Sequence, residues 1–110
     1  MRVELQEEKA IIVLDGKLDL GCSGELKEKV QAALAAGFKT ISLDFTHVSS
    51  IDSSGVGKLL LLKKMLKDRG GELIVFNLAS EYIQKMFKII HLDRVIATEQ
   101  RSVEKGMPSV

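Results

Sequence analysis

Ten residues near the middle of the chain, Ser49-Ser50-Ile51-Asp52-Ser53-Ser54-Gly55-Val56-Gly57-Lys58, gather four hydroxyls, a carboxylate, two glycines and an amine. These residue types admit several chemistries. Gly55-Val56-Gly57-Lys58 has the form of the end of a nucleotide phosphate loop. That loop requires a glycine five places before Gly57, where Asp52 stands, and Ser or Thr after the lysine to hold magnesium, where Leu59 stands. A carboxylate in a phosphate cradle repels its ligand. The dinucleotide pattern fails as well, because its third glycine position holds Leu60.

A nucleophilic serine fares no better. A hydrolase elbow needs glycine two places before the serine, and here those places hold Ile51 before Ser53 and Asp52 before Ser54. The chain has two histidines, His47 at the end of a predicted strand and His91 at the end of a predicted helix, and no spacing brings either to Ser53 with an aspartate behind it. No catalytic residue is assigned. Two readings survive. Ser53 or Ser54 can cap a helix by accepting hydrogen bonds from its first backbone N–H groups. A serine at a helix start is also a good phosphorylation point, since a phosphate adds about −1.5 to −2 charges and three acceptor oxygens. Beside Asp52 that charge would be repulsive to a docked partner.

The elements that must position this segment follow from the apolar pattern. Val3 and Leu5 alternate with charges, predicting a half-buried strand. Ala10-Ile11-Ile12-Val13-Leu14 is a continuous apolar run, predicting a strand covered on both faces and ended by Asp15-Gly16. Leu26, Val30, Ala33 and Leu34 mark one stripe of a helix from about Ser23, its N-cap, to Ala36, with Gly37 at the C′ position. Thr40–Phe45 alternates as a strand. A second helix is expected from Ser53 or Ser54 to about Arg69, with Leu59, Leu60 and Leu66 inward. Leu73–Phe76 is a buried strand. Ser80 caps a third helix with Ile83, Met86, Phe87 and Ile90 inward, and Val95-Ile96-Ala97 forms an edge strand. The order β-β-α-β-α-β-α-(β) predicts an α/β fold: a mixed sheet of four to five strands, its opening pair antiparallel, with three or more helices packed on it.

Composition narrows the function classes. The 110 residues suit one domain, here residues 1–100, with 101–110 read as a short C-terminal tail. Sixteen Lys and Arg against fifteen Asp and Glu argue against nucleic-acid binding or a basic membrane surface. No apolar run approaches the roughly 20 residues of a membrane span, and the first residues have no signal-peptide pattern, so a cytoplasmic location is expected. One cysteine, Cys22, excludes a disulfide framework and a cysteine-rich zinc site; no metal site is expected, and Cys22 reads as a small, partly buried residue before a helix.

Ile51-Asp52-Ser53-Ser54-Gly55-Val56-Gly57 resembles the D-S-x-G-(L/V)-G phosphorylation loop of STAS domains, in particular the bacterial anti-sigma factor antagonists. Gly16-Lys17-Leu18-Asp19 is similar to that family's G-x-(L/I/V)-D turn, and Gly70-Gly71-Glu72-Leu73 with the helix through Phe87 matches in type and order. The resemblance runs from Arg2 to about Gln100. It implies a STAS-like sheet, Ser53 as the phosphorylated residue with Ser54 on the variable position, and Asp19 as the acidic neighbour of the loop. Asp19, Asp52, Ser53, Ser54, Gly55, Val56 and Gly57 would bind the partner. Two departures are visible: Val56 replaces the commoner Leu, and Gly21-Cys22-Ser23-Gly24 is unusually rich in glycine. The implied cycle is partner switching: the unphosphorylated protein binds an anti-sigma factor that is also a serine kinase, and this frees the sigma factor. Phosphorylation on Ser53 ends the complex, and a serine phosphatase resets it. The chain itself would be no enzyme and need no cofactor. The rival readings are a STAS scaffold in a stressosome or a lipid-transport complex, and a small-ligand or nucleotide-binding enzyme.

Overall fold

Alternation along the central strands sorts the apolar residues onto one face of a sheet. Ala10, Ile12 and Leu14, then Ile41, Leu43 and Phe45, then Leu73 and Val75 are buried in a single cluster. The same cluster takes Leu26, Val30 and Ala33, then Leu59, Leu62 and Leu66, then Ile83 and Phe87. Phe45 and Phe87 meet edge to face, with ring centroids 6.1 Å apart. Burial of each leucine contributes roughly 1.5–3 kcal/mol relative to exposure, so this cluster holds the layers together.

The structure, a computed structural model, describes residues 1–99. The expected tail at 101–110 lies outside them. The elements are β1 (Arg2–Leu5), β2 (Lys9–Leu18), α1 (Leu20–Ala35), β3 (Thr40–Ile51), α2 (Ser53–Asp68), β4 (Glu72–Phe76), α3 (Glu81–Ile89) and β5 (Ala97–Glu99), with a 3₁₀ turn at Leu92–Arg94 before β5. The sheet order is β1-β2-β3-β4-β5. The β1–β2 pair is antiparallel and every other neighbouring pair is parallel, as single-helix connections demand. The predicted fold class holds.

Several boundaries move. β2 does not stop at Asp15-Gly16. Its pairing with β3 shifts register around those residues and resumes at Lys17 and Leu18, with Gly16 in the left-handed region at φ +73 absorbing the irregular step. β3 likewise runs on to Ile51, because Val48 and Ile51 are buried and Ser50 and Ile51 pair with Lys17 and Leu18. Ser49 and Ser50 are therefore strand residues, not loop, and His47 lies inside β3. α1 begins at Leu20, so Gly21-Cys22-Ser23-Gly24 forms its first turn. Gly37 follows its end at φ +100, as a C′ glycine should. Ser80 does cap α3, accepting from the Ile83 N–H at 3.3 Å. Ile90, expected inward, falls after the last turn of α3 and is 45% exposed, while Met86 is half-buried. β5 starts at Ala97, two residues later than the predicted edge strand.

Candidate functional site

The extra length of β2 and β3 builds the site. The two strands run parallel, and their last paired residues are Leu18 and Ile51. The next residue of each is an aspartate. Asp19 and Asp52 thus leave neighbouring strands side by side at the carboxyl end of the sheet, where open α/β folds place their sites. The backbone N–H of Asp52 donates to the Leu18 carbonyl at 3.3 Å and ties the two exits together.

Each aspartate caps the helix that follows. Asp19 has extended backbone (φ −131, ψ −171) and its Oδ1 accepts from the Gly21 N–H at 3.0 Å. Asp52 is extended too (φ −108, ψ −175), and its Oδ1 accepts from the Gly55 N–H at 2.9 Å. Two carboxylates are therefore held at two adjacent helix starts, where the helix dipoles favour negative charge. This corrects the expected caps. Ser23 lies within α1, and neither Ser53 nor Ser54 caps α2, because aspartate one residue earlier already has the right backbone and reach.

The capping aspartate leaves Ser53 otherwise unengaged. Ser53 is the first residue of α2, it is exposed, and among the described residues its hydroxyl makes no hydrogen bond. Ser54 is half-buried and Val56 packs partly against the core. Gly55 is buried under the end of β2: a Cβ there would lie 2.3 Å from the Leu18 carbonyl oxygen and 2.7 Å from Ile51 Cγ1. Gly57 is exposed, and a Cβ there would meet nothing within 4 Å. Ser53 and Gly57 stand one turn apart on the outer side of α2, and the stripe continues through Leu60 and Leu61, 41% and 40% exposed. Leu60 was expected to face the sheet. The inner stripe is instead Gly55, Leu59, Leu62 and Leu66. Four consecutive leucines span more than one helix face, so two of them must point outward.

Other candidate chemistry is not assembled. His47 is exposed in β3 opposite Asp15, and His91 is exposed beyond α3; among the described residues neither hydrogen-bonds to a serine. No group of three or more His, Cys, Asp and Glu among them could hold a metal ion. No helix of the described residues is long and apolar enough to cross a membrane. Cys22 sits half-buried in the first turn of α1, its thiol donating to the Lys17 carbonyl at 3.0 Å.

The family model for the STAS domain matches residues 1–105. The chain belongs to the STAS domain family. It is 30% identical over 96 residues to a Listeria monocytogenes protein named anti-sigma-B factor antagonist, across 87% of this chain and 82% of that one. Among solved structures it is similar to the phosphorylated form of the Bacillus cell fate determinant SpoIIAA, at 27% identity and TM-score 0.72 over 94% of this chain and 93% of that one. It is also similar to the anti-sigma factor antagonist SpoIIAA in its unphosphorylated form, at 26% identity and TM-score 0.67 over 99% and 88% of the two chains.

In this STAS domain Asp19 carries a structural duty besides its charge. Asparagine caps a helix about as well as aspartate, so Asp19→Asn is expected to leave stability within about 0.5 kcal/mol while removing the charge beside Asp52. Asp19→Ala loses the cap and is expected to cost about 1 kcal/mol. Denaturant midpoints of the two variants separate the roles; equal losses would show that the capping bond contributes nothing.

Proposed function

We propose that this STAS domain is an anti-sigma factor antagonist whose unphosphorylated form docks on an anti-sigma factor that is also a serine kinase, releasing the sigma factor. The observation that carries this reading is the exposed Ser53 hydroxyl, uninvolved in capping, at a helix start directly after Asp52, whose strand pairing sets it beside Asp19. Ser53 is a kinase's substrate, its hydroxyl accepting the γ-phosphoryl group of ATP as ADP leaves, and not a catalytic nucleophile of this chain, so the chain works as a binding module in the cytoplasm, needs no cofactor, and leaves ATP to its partner. A phosphate on Ser53 sits at the positive end of α2, which the fold tolerates. At a docked interface the same group brings charge beside Asp52 and Asp19, and the complex separates. A serine phosphatase then restores the hydroxyl. The names of the antagonist relatives support the class of partner, and the solved phosphorylated form of SpoIIAA supports the modification.

Asp19, Asp52, Ser53, Ser54, Val56 and Gly57 make the docking patch on this reading, with Gly55 setting the height of the first turn from beneath. The exposed Leu60 and Leu61 extend the patch along α2. Leu60→Asp and Leu61→Asp should each lower the unfolding midpoint but leave a folded domain by circular dichroism, and weaken docking at least about tenfold, because an unpaired charge would be buried in the complex. Calorimetric titration of the chain against the anti-sigma kinase of the same genome tests the proposal. A complex with the unphosphorylated chain that is lost after incubation with ATP is expected. Absence of any complex, or tight binding of ATP or GTP by this chain alone, would overturn it.

A further inference from the structure

β1 leaves the outer edge of the sheet unpaired among the described residues. The direction of its free groups follows from the hairpin. The Gln6 N–H donates to the Lys9 carbonyl at 2.9 Å, and in an antiparallel pair the bonded positions recur at every second residue. With Arg2 opposite Val13 and Glu4 opposite Ile11, these two bond inward to β2. The backbone N–H and C=O groups of Val3 and Leu5 therefore point out of the sheet.

β1 is short and carries two charges, Arg2 and Glu4, so pairing along that edge is favoured only in a register that matches them. It holds no proline, lysine or bulge, the further devices that block an edge in every register. Val3 and Leu5 are 38% and 62% exposed and line a mostly apolar groove of about 240 Å³ with Lys29, Ala32 and Ala33 of α1 and Ala36 just after it. Alternation puts Arg2 and Glu4 on the opposite face, where the guanidinium pairs with the Glu4 carboxylate at 2.9 Å along the strand.

The strand is complementary to itself in one register. If two copies pair antiparallel with Val3 opposite Val3, the outward groups of both meet, Arg2 of each faces Glu4 of the other, and Met1 faces Leu5. The four charges then alternate in sign around a square, and Val3 and Leu5 of both copies share the other face. Moving to Val3 opposite Leu5 sets Glu4 against Glu4, and like charges directly opposite are destabilising. Centring on Leu5 runs the pairing into the bend at Glu7 and Glu8, beyond the end of β1.

We infer that β1 is the contact edge of a symmetric homodimer of this chain, with Val3 opposite Val3 and Arg2 opposite the partner's Glu4, so that the sheet is continuous through both copies. The surface is independent of the Ser53 site. A four-residue edge gives weak association, with a dissociation constant between about 1 µM and 1 mM.

Sedimentation equilibrium of the chain over that concentration range tests the dimer, and charge swapping tests the register. Arg2→Glu alone, or Glu4→Arg alone, is expected to weaken self-association by at least about tenfold, equivalent to roughly 1.4 kcal/mol. Each sets like charges opposite one another. An equimolar mixture of the two variants restores the dimer, because each then supplies what the other lacks, and so does the double variant R2E/E4R. Val3→Pro removes an outward N–H without touching a bond to β2, and should yield a folded monomer by circular dichroism. A chain that remains monomeric at about 1 mM, a dimer that survives Arg2→Glu and Val3→Pro, or a mixture that fails to restore it, would each overturn the inference.

Discussion

Gly55→Ala is expected to destabilise the domain by about 2–4 kcal/mol, lowering its thermal midpoint by roughly 10–20 °C. The new methyl would stand 2.3 Å from a backbone oxygen, that of Leu18, and a backbone atom cannot swing aside as a side chain can. Relief requires lifting the first turn of α2 off the end of β2. That move would stretch the bonds that position the site, Asp52 Oδ1 to the Gly55 N–H and the Asp52 N–H to the Leu18 carbonyl. Gly57→Ala provides the control on the same turn. It meets open space, and alanine is favoured over glycine in a helix by up to about 1 kcal/mol, so its midpoint should hold or rise. Thermal unfolding followed by circular dichroism compares them. Equal midpoints would mean that the seating of α2 on β2 is not what the close approach indicates.

The other large effect concerns Ser53 and falls on binding, not folding. Ser53→Ala keeps an exposed helix-start residue, disturbs no hydrogen bond, and should leave stability within about 0.5 kcal/mol. It cannot accept a phosphate, so its complex with the kinase should persist in ATP. Ser53→Asp carries one negative charge in place of nearly two and lacks the third oxygen of phosphate. It still brings an unpaired charge to the proposed interface, which holds Asp52 and Asp19. Burying such a charge costs several kcal/mol, and each 1.4 kcal/mol is a tenfold change in affinity. Docking should weaken at least about tenfold, while the helix dipole keeps the isolated domain as stable as before. Ser54→Ala, at a half-buried position, should change docking much less.

Much of this molecule is legible in the chain because its helices and inner strands obey simple periods. Ala10–Leu14, Leu73–Phe76 and the stripe from Leu26 to Ala33 need no tertiary information to be placed. The site was less legible. Asp52 was readable as part of a motif, but its capping role was assigned to the serines after it; a hydroxyl and a carboxylate are equally good caps, and the choice rests on which residue has extended backbone. That in turn depends on β3 continuing to Ile51, which Thr46-His47 and Ser49-Ser50 conceal by being polar on a strand that pairs with the far end of β2. The same long-range pairing sets Asp19 beside Asp52 and packs Gly55 against Leu18. The outward turn of Leu60 was hidden for another reason: within a run of four leucines, composition does not identify the inner face.

Phosphopeptide mass spectrometry of the chain, after incubation with the proposed anti-sigma kinase and ATP, decides which serine is the switch. Phosphate on Ser53, Ser54 unmodified, and loss of the kinase complex in step with the modification are expected. Phosphate on Ser54 with Ser53 unmodified, or a complex that persists once Ser53 is fully phosphorylated, would contradict Ser53 as that switch.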